Sequence, residues 1–308
     1  MNRAFALILF SLLLIANTAS WGQSNDLRTV VALAKQAKNN GENEKAITYY
    51  EELVKQSSSD AYYYDLLELY LAEKDFNSAE KMVRKRIRQY PQRAEFLVDQ
   101  GHIYSVQELE KEAGKSFDKA VQLALKDNRT TRPAANQFNK YKYYTYSEEI
   151  YLKARRSFRN DRLYQFELAN TYGWLGKTDE MMEEYLSILG GNRSYLQTIQ
   201  NLLSRLLNPD PDGVQKAKLK EILLRRIQKE PNEEVYSEML IWLYIQDKNF
   251  TGAFIQAKAL DRKNGEEGRR VFDLGTLALL NDELSTAEKS FNYVIELKDS
   301  PYYFQSKM

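Results

Sequence analysis

Apolar positions recur along this chain in pairs of short stretches. Within a stretch they fall three and four residues apart, the spacing of a helix with one buried face. The second stretch of each pair carries a small or compact residue and, four positions on, a larger one: Ala46 with Tyr50, Ala79 with Val83, Ala113 with Phe117, Ser147 with Tyr151, Met181 with Tyr185. Successive pairs lie 33 or 34 residues apart. The preceding stretch holds an aromatic or apolar residue, in turn Ala37, Tyr70, Tyr104, Phe138 and Tyr172. Three positions upstream of these a small residue is usual, Ala34, Gly101, Ala135 and Ala169, with Leu67 the exception. Such phasing predicts a unit of construction copied along the chain. Each copy is two amphipathic helices joined by a turn at Gly41, Lys74, Glu108 or Gly176, with small residues letting the helices approach and aromatics filling the space between them.

After the fifth copy the phase slips. "YLQTIQNLLSRLL" and "VQKAKLKEILLRRIQKEP" predict an irregular helix pair over 195–231 around a long turn, Asn208–Gly213. The pattern returns with Leu240, Tyr244, Ala253, Ala257 and Leu260, and again with Leu274, Gly275, Ala278, Ala287, Phe291 and Val294. About eight helix pairs are expected over 23–308. "SPYYFQSKM" reads as the start of a further helix, so the chain is expected to be part of a longer protein, with a short capping helix as the alternative.

These positions carry a family resemblance. In the third copy the sequence Leu97, Gln100, Gly101, Tyr104, Ala113, Phe117, Ala120 and Leu125 resembles the pattern of tetratricopeptide-repeat proteins. In the second copy Tyr63, Leu66, Leu67, Tyr70, Ala79, Val83, Arg86 and Pro91 occupy the same positions. The resemblance is degenerate but phased, and it covers nearly all of the chain after residue 22. It implies an all-α fold, a right-handed α-solenoid of antiparallel helix pairs, and a groove lined by the first helix of each pair in which a partner peptide or helix is held.

The N-terminus departs from this pattern. Arg3 precedes an apolar run from Ala4 to Ala16, with Ser20 and Gly22 before Gln23, which predicts a secretory signal peptide over residues 1–22. The run is 13 residues long, short of the ~20 that a membrane-spanning helix needs. The chain has no cysteine. That excludes disulfides and thiolate chemistry, and also a lipid-anchored cysteine at the cleavage site; an exported chain without disulfides fits a bacterial periplasm. Lys and Arg number 44 against 43 Asp and Glu, a balance that gives no field for nucleic acid.

Candidate chemistry is sparse. The single histidine, His102, lies one turn from Asp99, and neither a phosphate-binding loop, an HExxH run, a nucleophile elbow nor a paired-carboxylate motif is present. The expectation is a non-enzyme with no cofactor and no metal. Groove positions of the first helices put forward Lys35, Tyr64, Glu68, His102, Phe166, Asn170, Trp242 and Phe272 as partner-binding residues. Exposed aromatics there suit anchoring of a partner protein, while the alternative for Tyr64, Phe166, Trp242 and Phe272 is packing between neighbouring copies. The carboxylate clamp that the resemblance brings with it is not matched, since Val31 and Lys35 stand at its positions.

Two basic clusters, Arg84, Lys85, Arg86, Arg88 and Arg93, then Lys153, Arg155, Arg156, Arg159 and Arg162, suit either anionic lipid or polysaccharide or a solvated outer surface. The 22 tyrosines suit core packing, with sugar stacking as the alternative. The expected role is a protein-interaction scaffold for envelope proteins in a secretion or surface-assembly complex. The alternatives are a glycan-binding module, or the helper or sensor half of a longer enzyme.

Overall fold

The computed structural model describes residues 27–208 and 210–308. The expected signal segment, 1–22, lies outside the described residues. The chain divides into two compact units, one ending at Tyr141 and the other running from Lys142 to Met308. The boundary falls in the turn of the fourth pair.

The first unit consists of α1 (27–39), α2 (Asn43–Gln56), α3 (Asp60–Ala72), α4 (Phe76–Gln89), α5 (Glu95–Val106), α6 (Glu110–Ala124) and α7 (Asn128–Lys140). The second holds α8 (Tyr144–Ser157), α9 (Gln165–Trp174), α10 (Thr178–Gly191), a single 3₁₀ turn (Arg193–Tyr195), α11 (Leu196–Leu207), α12 (Val214–Lys229), α13 (Glu234–Gln246), α14 (Phe250–Asn264), α15 (Arg269–Leu280), α16 (Leu284–Glu296) and the five-residue α17 (Tyr303–Lys307). No strand occurs among the described residues.

One backbone device closes the regular pairs. A residue in the left-handed region follows the first helix at Gly41, Lys74, Glu108, Lys142, Gly176, Lys248 and Asp282. The amide of the next residue then reaches back to a first-helix carbonyl, as in Glu42 to Ala37 at 2.9 Å, Asp75 to Tyr70 at 2.8 Å, Leu109 to Tyr104 at 2.9 Å, Lys177 to Tyr172 at 2.9 Å, Asn249 to Tyr244 at 2.8 Å and Glu283 to Ala278 at 2.9 Å. This is the Schellman termination, which satisfies a carbonyl that the helix end leaves open and turns the chain into the second helix. Glycine fills the left-handed position without strain at Gly41 and Gly176; lysine, glutamate and aspartate fill it elsewhere.

The phased apolar positions form the core. Ala34, Ala46, Ala79, Val83, Ala135, Phe138, Tyr151 and Ala169 are wholly inaccessible to solvent, and Tyr50, Leu67, Ala113 and Phe117 nearly so. Full burial of one such large side chain is worth about 1.5–3 kcal/mol. The small residues do what the spacing predicts. A Cβ on Gly101 would overlap the Phe117 ring, and one on Gly275 would lie 2.9 Å from Ser290 Cβ and 3.0 Å from the Phe291 ring.

Some packing positions differ from expectation, Tyr244 and Phe291 being half-buried. In α10 the buried methionine is Met182, with Met181 half-buried. That helix also packs on α12 and α13, so its buried arc is widened to include Leu186, Ile188 and Leu189. Tyr104 is half-buried rather than core, its hydroxyl accepting from Arg84 Nη2 at 3.4 Å. The irregular pair is present as α11 and α12, with Gly213 in the left-handed conformation at the start of α12.

Candidate partner-binding face

First helices α1, α3, α5 and α7 of the first unit are tied side by side by polar side chains. Lys38 Nζ donates to Asp65 at 2.7 Å and to Glu68 at 2.8 Å, linking α1 to α3. Asp99, on α5, is completely buried. One of its oxygens accepts from the Tyr63 hydroxyl of α3 at 2.8 Å; the other accepts from the Tyr141 hydroxyl after α7 at 2.8 Å and from Gln137 Nε2 of α7. A buried carboxylate thus joins three consecutive pairs. Burial pushes its carboxyl up to about 6, although the donors Tyr141, Tyr63 and Gln137 pull the other way.

The expected groove residues of this unit gather around that joint. The Tyr64 ring packs edge-on against Tyr63 with centroids 5.0 Å apart, and Lys140 Nζ sits 4.0 Å from its centroid, a cation–π distance. His102 is half-buried and stacks on Tyr141 at 3.8 Å with the rings 17° from parallel. Burial first, and then the Lys140 charge, lower the His102 pKa to about 4, so the ring is neutral at neutral pH. Glu68 and Lys35 are exposed on the same helices. Val98, on the same helix as His102, is fully buried, since α5 packs against α4, α6 and α7.

In the second unit the aromatics are partly engaged in packing. Phe166 meets Tyr195 edge-on at 5.2 Å. Phe272 stacks on Tyr302 at 5.1 Å and packs on Phe291 at 5.8 Å. Trp242 lies half-buried against the core that Leu203, Leu223 and Met239 help to build. Asn170 is exposed, and its Oδ1 accepts from the Tyr185 hydroxyl at 3.3 Å. Glu238, a groove position by spacing, is buried under two arginines. Arg193 donates to it twice, at 3.0 and 2.7 Å, and Arg270 once at 3.3 Å while also binding Glu266.

Asp99, Gln137, Tyr141, Lys140, Arg193 and Arg270 were not among the expected site residues. The signal for Asp99 was its carboxylate on the packed side of an otherwise apolar stretch. Its partners lie 36 to 42 residues away, one copy before it for Tyr63 and one copy after it for Gln137 and Tyr141, where the repeat period fixes position but not side-chain chemistry. The basic clusters also resolve unevenly. Arg84 pairs with Glu80, Arg93 with Asp60 and Glu95, Lys153 with Glu149, and Arg155 bidentately with Glu184 at 2.6 and 2.8 Å. Among the described residues no three His, Asp or Glu side chains converge as a metal site would need, and no helix is long and apolar enough to cross a membrane.

Neither the protein-family models nor the curated proteins contain a match to this chain. Solved structures do resemble it. A Naa15/Naa10 complex bound to HypK-THB is 13% identical over 91% of this chain and 43% of that one, with a TM-score of 0.33. The anaphase-promoting-complex hetero-tetramer Cut9-Hcn1 is 12% identical over 90% of this chain and 54% of that one, with a TM-score of 0.29. The C-terminal part of a TPR repeat-containing protein from Cytophaga hutchinsonii is 13% identical over 91% of this chain and 98% of that one, with a TM-score of 0.31. The chain spans about half the length of the first two. At these values the likeness bears on neither activity nor partner, and the all-α architecture of paired helices rests on the pairs themselves.

Proposed function

We propose that this chain is a non-catalytic scaffold that holds a segment of a partner protein against its first helices. The observation that carries the reading is the Asp99 joint. By tying α3, α5 and α7 together it fixes the Tyr64 and His102 faces beside the exposed Glu68, and a face already ordered before binding loses less entropy on binding. Half-buried aromatics supply apolar contact; Lys35 and Glu68 on the first unit supply the polar rim that such contacts favour, and Asn170 does so on the second unit.

The leader-like N-terminus and the cysteine-free composition support export to a bacterial periplasm without a lipid anchor, and hence service to envelope proteins in secretion or surface assembly. Fractionation of the native host with a tagged chain tests the location: release with the periplasmic fraction supports it, and retention in the cytosol overturns it. For the face itself, Lys35→Glu with Glu68→Lys reverses two exposed charges; the second also removes the Lys38–Glu68 contact, while Lys38–Asp65 still links α1 to α3. Loss of a captured partner with unchanged helicity supports the reading, and full retention of the partner contradicts it.

A second reading, glycan binding, is favoured by one feature. Trp174 is half-exposed and stacks on Tyr144 at 5.2 Å, a flat aromatic platform. Quenching or protection of its fluorescence by soluble glycans, absent in Trp174→Ala, would support that reading.

A further inference from the structure

On the first unit, away from the first helices, the ends of α2 and α4 enclose a cavity of about 200 Å³. Its lining includes Lys55, Lys85 and Arg86, the amides Gln56 and Gln89, and Ser57 and Ser58, with no Asp or Glu. Sequence alone placed Lys85 and Arg86 in a run of five basic residues. The structure separates them from Arg84 and Arg93, which carboxylates neutralise.

Arg86 is the unusual member. It is 4% exposed, yet its guanidinium donates only to the backbone carbonyls of Ser58 at 3.2 Å and Ser59 at 3.4 Å, and it lies over the Tyr63 and Tyr90 rings at 5.1 and 5.6 Å. Among the described residues it makes no ion pair. Two carboxylates contact the lining from one turn back on α2. Glu51 is 3.9 Å from Lys55 Nζ and already accepts from the Tyr70 hydroxyl; Glu52 accepts from Gln56 Nε2.

Cations at the C-terminal ends of helices have a structural explanation in the helix dipole, and its size decides whether that explanation is sufficient. Two helix ends supply about half a negative charge each. Three positive charges against these two half charges and the Glu51 carboxylate, 3.9 Å from Lys55, leave the lining net positive. Hydroxyl and amide donors surround it, and a guanidinium with further N–H groups closes its floor.

We propose that this cavity is a binding site for an oxyanion of the phosphate or sulfate type, free or carried on a lipid headgroup. Lys55 and Lys85 supply mobile charge at the rim, Arg86 supplies fixed charge from beneath, and Ser57 and Ser58 supply hydrogen-bond donors. None of its lining residues is among the expected groove positions, although Arg86 packs over Tyr63 of the Asp99 joint.

The test is a titration of the full mature chain with inorganic phosphate, followed by amide chemical shifts, with chloride at equal ionic strength as the control for screening. The expected result is saturable movement of the Ser57, Ser58 and Gln89 amides. In Lys55→Gln/Lys85→Gln, which leaves Arg86 and its carbonyl contacts in place, binding should weaken by about tenfold or more with unchanged circular dichroism. A parallel arm uses phosphatidylglycerol vesicles against phosphatidylcholine vesicles. Saturation by phosphate alone assigns a free oxyanion, and co-sedimentation with phosphatidylglycerol that the double variant loses assigns a headgroup; either upholds the site. Binding in neither arm, or binding that the double variant retains, overturns it.

Discussion

Gly101 and Asp99 sit two residues apart on one helix and show how differently single residues act here. Gly101 is required because the Phe117 ring occupies the space of its Cβ. We predict that Gly101→Ala lowers stability by about 1–3 kcal/mol, the usual cost of overpacking, read as a fall in the urea midpoint. Asp99 acts through its donors. Tyr63→Phe removes one of them from a buried carboxylate and should cost about 1–3 kcal/mol. The pH dependence carries a sign of its own. The folded pKa is raised to about 6 by burial, against about 3.9 in an unfolded chain, so the folded state holds the proton more tightly between those values. The contribution of Asp99 to stability is thus full below the unfolded value and declines as pH rises through the folded one. In urea titrations, wild-type stability relative to Asp99→Asn should fall between about pH 4 and pH 6. A difference that is flat or rising over that range would contradict the assignment.

At the scale of elements, the helix pair was readable because the same physical demand recurs. Two helices can approach closely only where a small residue faces a large one, and that demand marks Ala34 with Tyr50's neighbourhood, Gly101 with Phe117, and Gly275 with Phe291. The turns were readable at Gly41 and Gly176 from glycine itself, and at Lys74 and Glu108 only from phase. Those two side chains adopt φ of 57° and 61°, a region that costs a non-glycine residue roughly 1 kcal/mol. Lys74→Gly and Glu108→Gly should therefore be neutral or stabilising by up to about 1 kcal/mol, whereas Gly41→Ala should destabilise by a similar amount. Thermal melts of the three variants would check this. What phase could not supply was the chemistry between copies. The Asp99 joint depends on Tyr63, Gln137 and Tyr141 all carrying polar ends toward one buried point, and the ion network over Glu238 depends on Arg193 in the 3₁₀ turn that leads into the irregular pair.

For the whole molecule, the chain divides into two compact units, and the division falls at Tyr141 and Lys142, within a pair. Tyr141 is the residue that ends the Asp99 joint, so the first unit is completed by the last residue before the boundary. Each unit presents its own first helices, with Lys35, Glu68 and the Tyr64 and His102 faces on one and Asn170, Phe166, Trp242 and Phe272 on the other. The aromatics of the second unit are drawn further into packing, which leaves the exposed Lys35, Glu68 and Asn170 as positions for a probe, at the cost of the Lys38 contact at Glu68 and the Tyr185 contact at Asn170.

The central claim is that the first helices hold a protein partner, and photo-crosslinking in the native host tests it most directly. A photoreactive residue is placed singly at Lys35, Glu68 or Asn170, and, as controls on second helices, at Arg88 or Arg156. We predict crosslinks to the same defined protein from the first-helix positions and none from the controls. Equal crosslinking from both sets, or none from the first-helix positions, would contradict the claim.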